Sequence, residues 1–179
     1  MAYLGLYLAR RDPVESEGLY RTALSGLEKK LGPDDGDTRL VRRDLAYMLK
    51  HKGDFVEAEP VLRRMLALDE KKWGIKDGKT NETVGELAEV LKGKKDYAAA
   101  APFYRRYLEG QKKAIGPDTI ECANTANDLS IVCEMLGQHD EAIALATEAV
   151  EHARKDRSNR KERIPEFEKR LAELEAAVK

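Results

Sequence analysis

The 179-residue sequence predicts an all-α solenoid of antiparallel helix pairs, about four repeats followed by one terminal helix. Three observations carry that prediction. The phrase at residues 45–73 returns at 87–115 and again at 129–157, shifted by 42 residues each time without insertion. A fixed period of this size marks stacked supersecondary units. Charged residues make up 36% of the chain and aromatics 6%, a mixture that favours long amphipathic helices over sheets. Within each copy, apolar residues keep helical spacing on both sides of a short polar junction such as Lys52-Gly53-Asp54.

Residues 1–10 read as a first helix caught part-way, because Leu45-Ala46 shifted back by 42 lands on Tyr3-Leu4. Asp12-Pro13-Val14-Glu15 then opens a second helix, with Asp12 as cap, Pro13 in the first turn and Glu15 completing a capping box. Asp54 and Glu57 repeat that device; Asp96 keeps the cap but has Ala99 in the glutamate position, and Glu141 stands without an acidic cap. The second helices are expected to end near Leu31, Trp73, Ile115 and Lys155. Gly32, Gly74 and Gly116 follow three of them, as left-handed C-caps require. Lys29, Lys71, Lys113 and Lys155 form a column in the last turns, where cations suit the helix dipole. Pro60 and Pro102 lie inside their helices and should kink them mildly without breaking them.

The period also assigns the core. Ser16, Ala58, Ala100 and Ala142 align as small contacts, and Leu45, Leu87 and Leu129 align on the first helices. Two columns are expected on the second helices: Leu24, Leu66, Leu108 and Val150, and Leu19, Val61, Phe103 and Leu145. After a polar break at 156–159, Ile164, Phe167, Leu171, Leu174 and Val178 predict a terminal capping helix over about 161–178. The whole reads as one domain with repeats at about 1–36, 37–78, 79–120 and 121–158.

Composition excludes several classes of function. A net charge of −1 provides no global field for nucleic acid or an anionic membrane. No run approaches the roughly 18 apolar residues of a membrane span. The apolar start has no basic segment before it and no cleavage site, so it is a poor signal peptide. Cys122 and Cys133 lie eleven residues apart on one expected helix, roughly 16 Å at the helical rise. A disulfide spans about 7 Å at most, so Cys133 is expected to be a buried thiol, consistent with a reducing cytoplasm.

These residues resemble tetratricopeptide repeats, in the 42-residue variety found in kinesin light chains. The resemblance rests on Gly53-Asp-Phe-Val-Glu-Ala-Glu-Pro60, Ala98-Ala-Ala-Ala-Pro-Phe-Tyr-Arg-Arg106 and Gly137-Gln-His-Asp-Glu-Ala142, with the linker Leu31-Gly-Pro-Asp-Asp-Gly-Asp-Thr38. It covers residues 11–157 well. It implies a right-handed superhelix whose first helices line a concave groove, and a non-enzymatic protein–protein interaction scaffold binding a peptide or helix of a partner.

Once the packed positions are subtracted, the groove is expected to present Leu40, Arg43, Tyr47 and Lys50 from repeat two. Repeat three adds Glu82, Glu86 and Glu89, and repeat four adds Asn124, Asn127, Asp128 and Ile131. Asn127-Asp128 resembles the paired-asparagine signature of kinesin light chain repeats, which implies peptide-backbone recognition there. A cluster for a C-terminal carboxylate is not expected, because Glu86 and Asp128 occupy groove positions; the acidic third repeat suits a ligand with a basic stretch. Arg21, Arg63-Arg64 and Arg105-Arg106 form a ladder on the opposite face, interleaved with acids and read as solvated surface. His51, His139 and His152 have no metal-ligand spacing, so no metal or cofactor is expected, and no catalytic motif is present. The alternatives are self-assembly through open ends exposing Tyr3, Leu6 and Tyr7 at one side and Phe167 and Leu171 at the other, or the sensor domain of a larger protein.

Overall fold

The computed structural model describes residues 13–156 and 161–178. The expectations for residues 1–12, for the side chains of 13–16 and for 157–160 lie outside the described residues. Every regular element among the described residues is helical, and the fold is an all-α helical-repeat solenoid. It divides into two compact units, Met1–Lys94 and Lys95–Lys179. Unit 1 contains α1 (Pro13–Lys30), α2 (Gly36–Lys52), α3 (Phe55–Trp73) and α4 (Gly78–Gly93). Unit 2 contains α5 (Tyr97–Ile115), α6 (Ile120–Met135), α7 (His139–Lys155), a short 3-10 turn at Lys161–Arg163, and α8 (Ile164–Ala177). Within each unit every helix packs on the next one in sequence.

First helices start alike. Asp35, Asp77 and Thr119, spaced by the repeat period, each accept backbone N–H bonds at the N-termini of α2, α4 and α6. They end at a tight turn in which Gly53 adopts a left-handed conformation, φ +81° and ψ +10°. Gly137 (φ +73°) and Lys95 (φ +63°) stand at the same place in the period, so Lys95 takes a conformation that glycine adopts without steric cost.

That turn explains one correction. Asp54 caps α3 through Oδ1, which accepts from the Glu57 N–H at 3.4 Å, but no capping box closes. The Asp54 N–H already donates to the Leu49 carbonyl at 2.9 Å, which leaves Glu57 nothing to return to. Glu57 instead accepts from Arg21 at 3.1 Å. Glu141 does the same with Arg105, at 2.8 Å, while its neighbour Gln138 makes no side-chain cap bond. Arg63 belongs to the same column but meets alanine at position 99, and it pairs with Glu59 in its own helix at 2.8 Å. Arg21 and Arg105 thus form ion pairs between second helices, each within its own unit, whereas Arg63 does not.

A second correction concerns Gly74 and Gly116. Their φ of +89° and +83° is positive as expected, but ψ near 167° and 160° makes them extended mirror-region residues, not left-handed helical caps. Both prolines are carried inside unbroken helices.

The core follows the columns with one shift. Ala58, Ala100 and Ala142 are completely buried, as are Leu45, Leu87 and Leu129 to within 1%. Leu66, Leu108 and Val150 are buried, while Leu24 is half-buried. Leu19, however, is 39% exposed, and Val61 and Phe103 are half-buried, while Leu145 is buried as expected. The buried column lies one residue on, at Tyr20, Leu62, Tyr104 and Ala146, about 100° further around each helix. Phe167 is also completely buried beneath Arg163, whose guanidinium lies 5.3 Å from the ring centroid. The expectation that Phe167 exposes an apolar end is therefore overturned. Both cysteines are buried free thiols, and burial pushes each above the ordinary thiol value.

One glycine is fixed by contact. A Cβ added at Gly93 would stand 2.6 Å from the Phe55 ring, whereas one added at Gly26 meets nothing within 4 Å. Gly93→Ala should destabilise the protein by about 1–3 kcal/mol through overpacking. Gly26→Ala should stabilise it by about 0.5–1 kcal/mol through lower backbone entropy. Denaturant unfolding of the two variants beside the parent checks both signs.

Candidate functional site

Helix α2 presents two faces. Val41, Leu45, Met48 and Leu49 are buried, whereas Leu40 (40% exposed) and Tyr47 (54% exposed) lie on one outward stripe with Arg43 and Lys50. Offsets of three, seven and ten residues keep these four on one side of a helix. On α4, Glu82 and Glu89 are exposed and Glu86 is half-buried. Unit 1 therefore brings seven of the expected site residues together on α2 and α4.

Much of this charge is already committed. Lys50 pairs with Glu89 across the two helices at 2.7 Å, and Arg43 pairs with Asp44 at 3.2 Å. The Tyr47 ring packs on His51, centroids 4.1 Å apart, with the Lys50 ammonium 6.0 Å from its centre. Glu86 has no such partner: its Oε2 is buried without a hydrogen bond. Burial pushes its carboxyl above the ordinary value, and Glu89 adds to the rise, while Lys50, Arg43 and Arg39 oppose it.

In unit 2 the four expected residues lie on α6. Asn124 is half-buried, and its Oδ1 accepts from Arg163 Nη1 at 2.6 Å, so a side chain just before α8 already holds it. Asn127 is buried, at 7% exposure; its Oδ1 has no hydrogen-bond partner, and its carbonyl accepts from Ser130 Oγ at 2.8 Å. Asp128 and Ile131 are half-buried. Arg170 of α8 reaches Glu134 at 2.7 Å.

Sequence reasoning missed two features of unit 1. Arg42 is 1% exposed in the column of Val84 and Ala126, where it reaches Glu28 at 2.7 Å and the Pro33 carbonyl at 3.3 Å. Arg39 donates twice to the buried Asp69, at 2.8 and 2.9 Å, and Thr83 Oγ1 donates to the same carboxylate at 2.7 Å. That network ties α2, α3 and α4 together beside Trp73.

Among the described residues no cluster of His, Cys, Asp or Glu could hold a metal ion. None of the described helices is long and apolar enough to cross a membrane. What the arrangement supports chemically is non-covalent recognition through an exposed leucine and tyrosine flanked by charge.

The tetratricopeptide repeat family model matches residues 80–155. No curated protein matches the chain in sequence. Several solved structures share its fold. One is a variant of a Podosopora anserina protein described as a kinesin light chain with nearly identical TPR-like repeats. It is 17% identical with a TM-score of 0.85, covering 99% of this chain and 84% of that one. Another is BtubC (BKLC) from P. vanneervenii, 19% identical with a TM-score of 0.81, covering 94% of this chain and 67% of that one.

Glu86 generates a signed prediction. Burial makes its charged form unfavourable in the folded state, so that cost is present at neutral pH. It is relieved as pH falls through the raised folded value towards the ordinary 4.5. Glu86→Gln should therefore raise the melting temperature at pH 7, by a margin that shrinks towards pH 4.5. Glu59 has the opposite sign: hydrogen bonds from Lys94 and Arg63 hold its carboxyl below the ordinary value. Its contribution is present at neutral pH and lost as pH falls through the lowered value, so Glu59→Gln should lower the melting temperature at pH 7. Thermal unfolding across a pH series checks both.

Proposed function

We propose that the chain is a non-enzymatic scaffold holding an extended peptide or helix of a partner against its first helices. Support comes from the match of residues 80–155 to the tetratricopeptide repeat model, whose modules generally bind other proteins. The observation that carries this reading is the exposed pair Leu40 and Tyr47 on a helix whose other face is buried. An exposed aromatic and an exposed aliphatic side chain in register are the residues that supply binding energy when a partner desolvates them. Selectivity comes from the charges beside them. With Glu89 held by Lys50, the carboxylates left to read a basic stretch of the ligand are Glu82 and Glu86. In unit 2, the half-buried Asp128 is the group that would meet a peptide backbone, since Asn127 is buried.

A photo-crosslinking residue at position 47 tests the assignment against the same residue at Val56, which is 68% exposed on α3. Adducts with a partner should form from position 47 and not from 56. For the partner so captured, Glu86→Lys combined with Glu89→Lys should weaken binding at least tenfold, or about 1.4 kcal/mol. Adducts from 56 alone, or unchanged binding by the double variant, would place the interaction elsewhere.

A further inference from the structure

The three connections between a second helix and the next first helix do the same structural work, and one of them differs in charge. Residues 29–37 hold two lysines against three aspartates, and residues 113–121 hold one lysine against two acids. Residues 71–79 hold four lysines against one aspartate. The reversals fall at defined places in the period. Lys76 stands where the others have Asp34 and Asp118, and Lys79 stands where they have Asp37 and Glu121. Trp73, the only tryptophan, replaces Leu31 and Ile115, and Ile75 replaces Pro33 and Pro117. Because the sister connections carry acids, the fold does not require these lysines.

The local structure leaves their charge uncompensated. The lone Asp77 is used as the cap of α4, accepting from the Lys79 N–H at 2.8 Å. In the sister connections the acid pairs with a lysine of the next second helix: Asp34 with Lys71 and Asp118 with Lys155, each at 4.0 Å. Lys72, Lys76 and Lys79 have no carboxylate partner among the described residues. Lys72 meets only the Asp34 carbonyl, at 2.6 Å, and the Trp73 ring, at 5.1 Å from its centroid. Lys79 and Arg39 lie 4.7 and 5.0 Å from the same centroid. Arg39 is neutralised by Asp69, but the two lysines are not. Ile75 between them is 63% exposed.

We propose that the connection 71–79 is a second interaction surface, which binds a carboxylate-rich acidic segment of a protein partner through Lys72, Lys76 and Lys79, with Ile75 as its apolar contact. The engagement of the indole by three cations separates this reading from two others. A ring so occupied is not offered to a stacking base, and it is not offered to a bilayer interface. The surface is independent of the Leu40–Tyr47 stripe, so either proposal can fail without the other.

Trp73 reports on its own surroundings, since no other tryptophan contributes emission. A ten-residue peptide with six glutamates should produce a saturable change in that emission, weakening as salt is raised, while its glutamine counterpart produces none. Lys76→Asp combined with Lys79→Asp restores the acids of the sister connections and should leave the circular dichroism spectrum unchanged. It should weaken peptide binding by about tenfold or more. Leu40→Ala with Tyr47→Ala should leave that binding unaltered. The proposal is overturned if the glutamate peptide gives no saturable change, or if the lysine double variant binds it as the parent does. It is equally overturned if phosphatidylserine vesicles or a single-stranded oligonucleotide bind more tightly than the peptide.

Discussion

The structure depends on each helix burying its apolar stripe against a neighbour, because no single helix pair can do so alone. The contact that permits this is small. Ala58, Ala100 and Ala142 stand at one point of the period in three second helices, and each is completely buried. A larger side chain there would hold the backbones apart and uncover the leucines on either side. Once stacking is fixed, α2 has one face committed to its neighbours and a stripe that packing leaves exposed. Leu45 and Tyr47 sit two residues apart on α2 and have opposite fates, 1% against 54% exposed.

The columns of alanine and leucine were legible in the sequence because repetition supplies several observations of every position. Where the period is broken, legibility fails. Arg42 occupies a position that is valine and alanine elsewhere, and nothing in its local pattern reveals that Glu28, fourteen residues earlier, would receive it. The Arg39–Asp69–Thr83 network likewise joins residues distant in sequence. The capping box at Asp54 was misread for a local reason: the tight Gly53 turn had already used the amide that Glu57 needed. The Leu19 column erred by one residue at Leu19, Val61 and Phe103 but held at Leu145, since adjacent apolar residues make the angular position of a helix ambiguous at that resolution of pattern. Of the candidate site, position along α2 and α4 could be read from the sequence. The Lys50–Glu89 pair and the burial of Glu86 could not, because they depend on which rotamers two helices share.

Repetition also separates structural from functional residues inside one chain. A role filled in every copy is structural, as the N-capping by Asp35, Asp77 and Thr119 is. A residue that differs in one copy, with no fold-level compensation, is available for recognition. Lys76 with Lys79 satisfy that condition in unit 1, and Leu40 with Tyr47 occupy positions at which every copy differs, one pair cationic and the other apolar. A partner that engaged both would have to offer an apolar, partly basic segment and a separate acidic one.

The central claim is that Leu40 and Tyr47, on the outward face of α2, are not part of the core. Thermal unfolding of Leu40→Ala/Tyr47→Ala beside Leu45→Ala tests it most directly. The account predicts that the outward double variant melts within about 2 °C of the parent, while Leu45→Ala loses about 4 °C or more. Equal losses from the two would show that the outward face is part of the core, and would contradict the account.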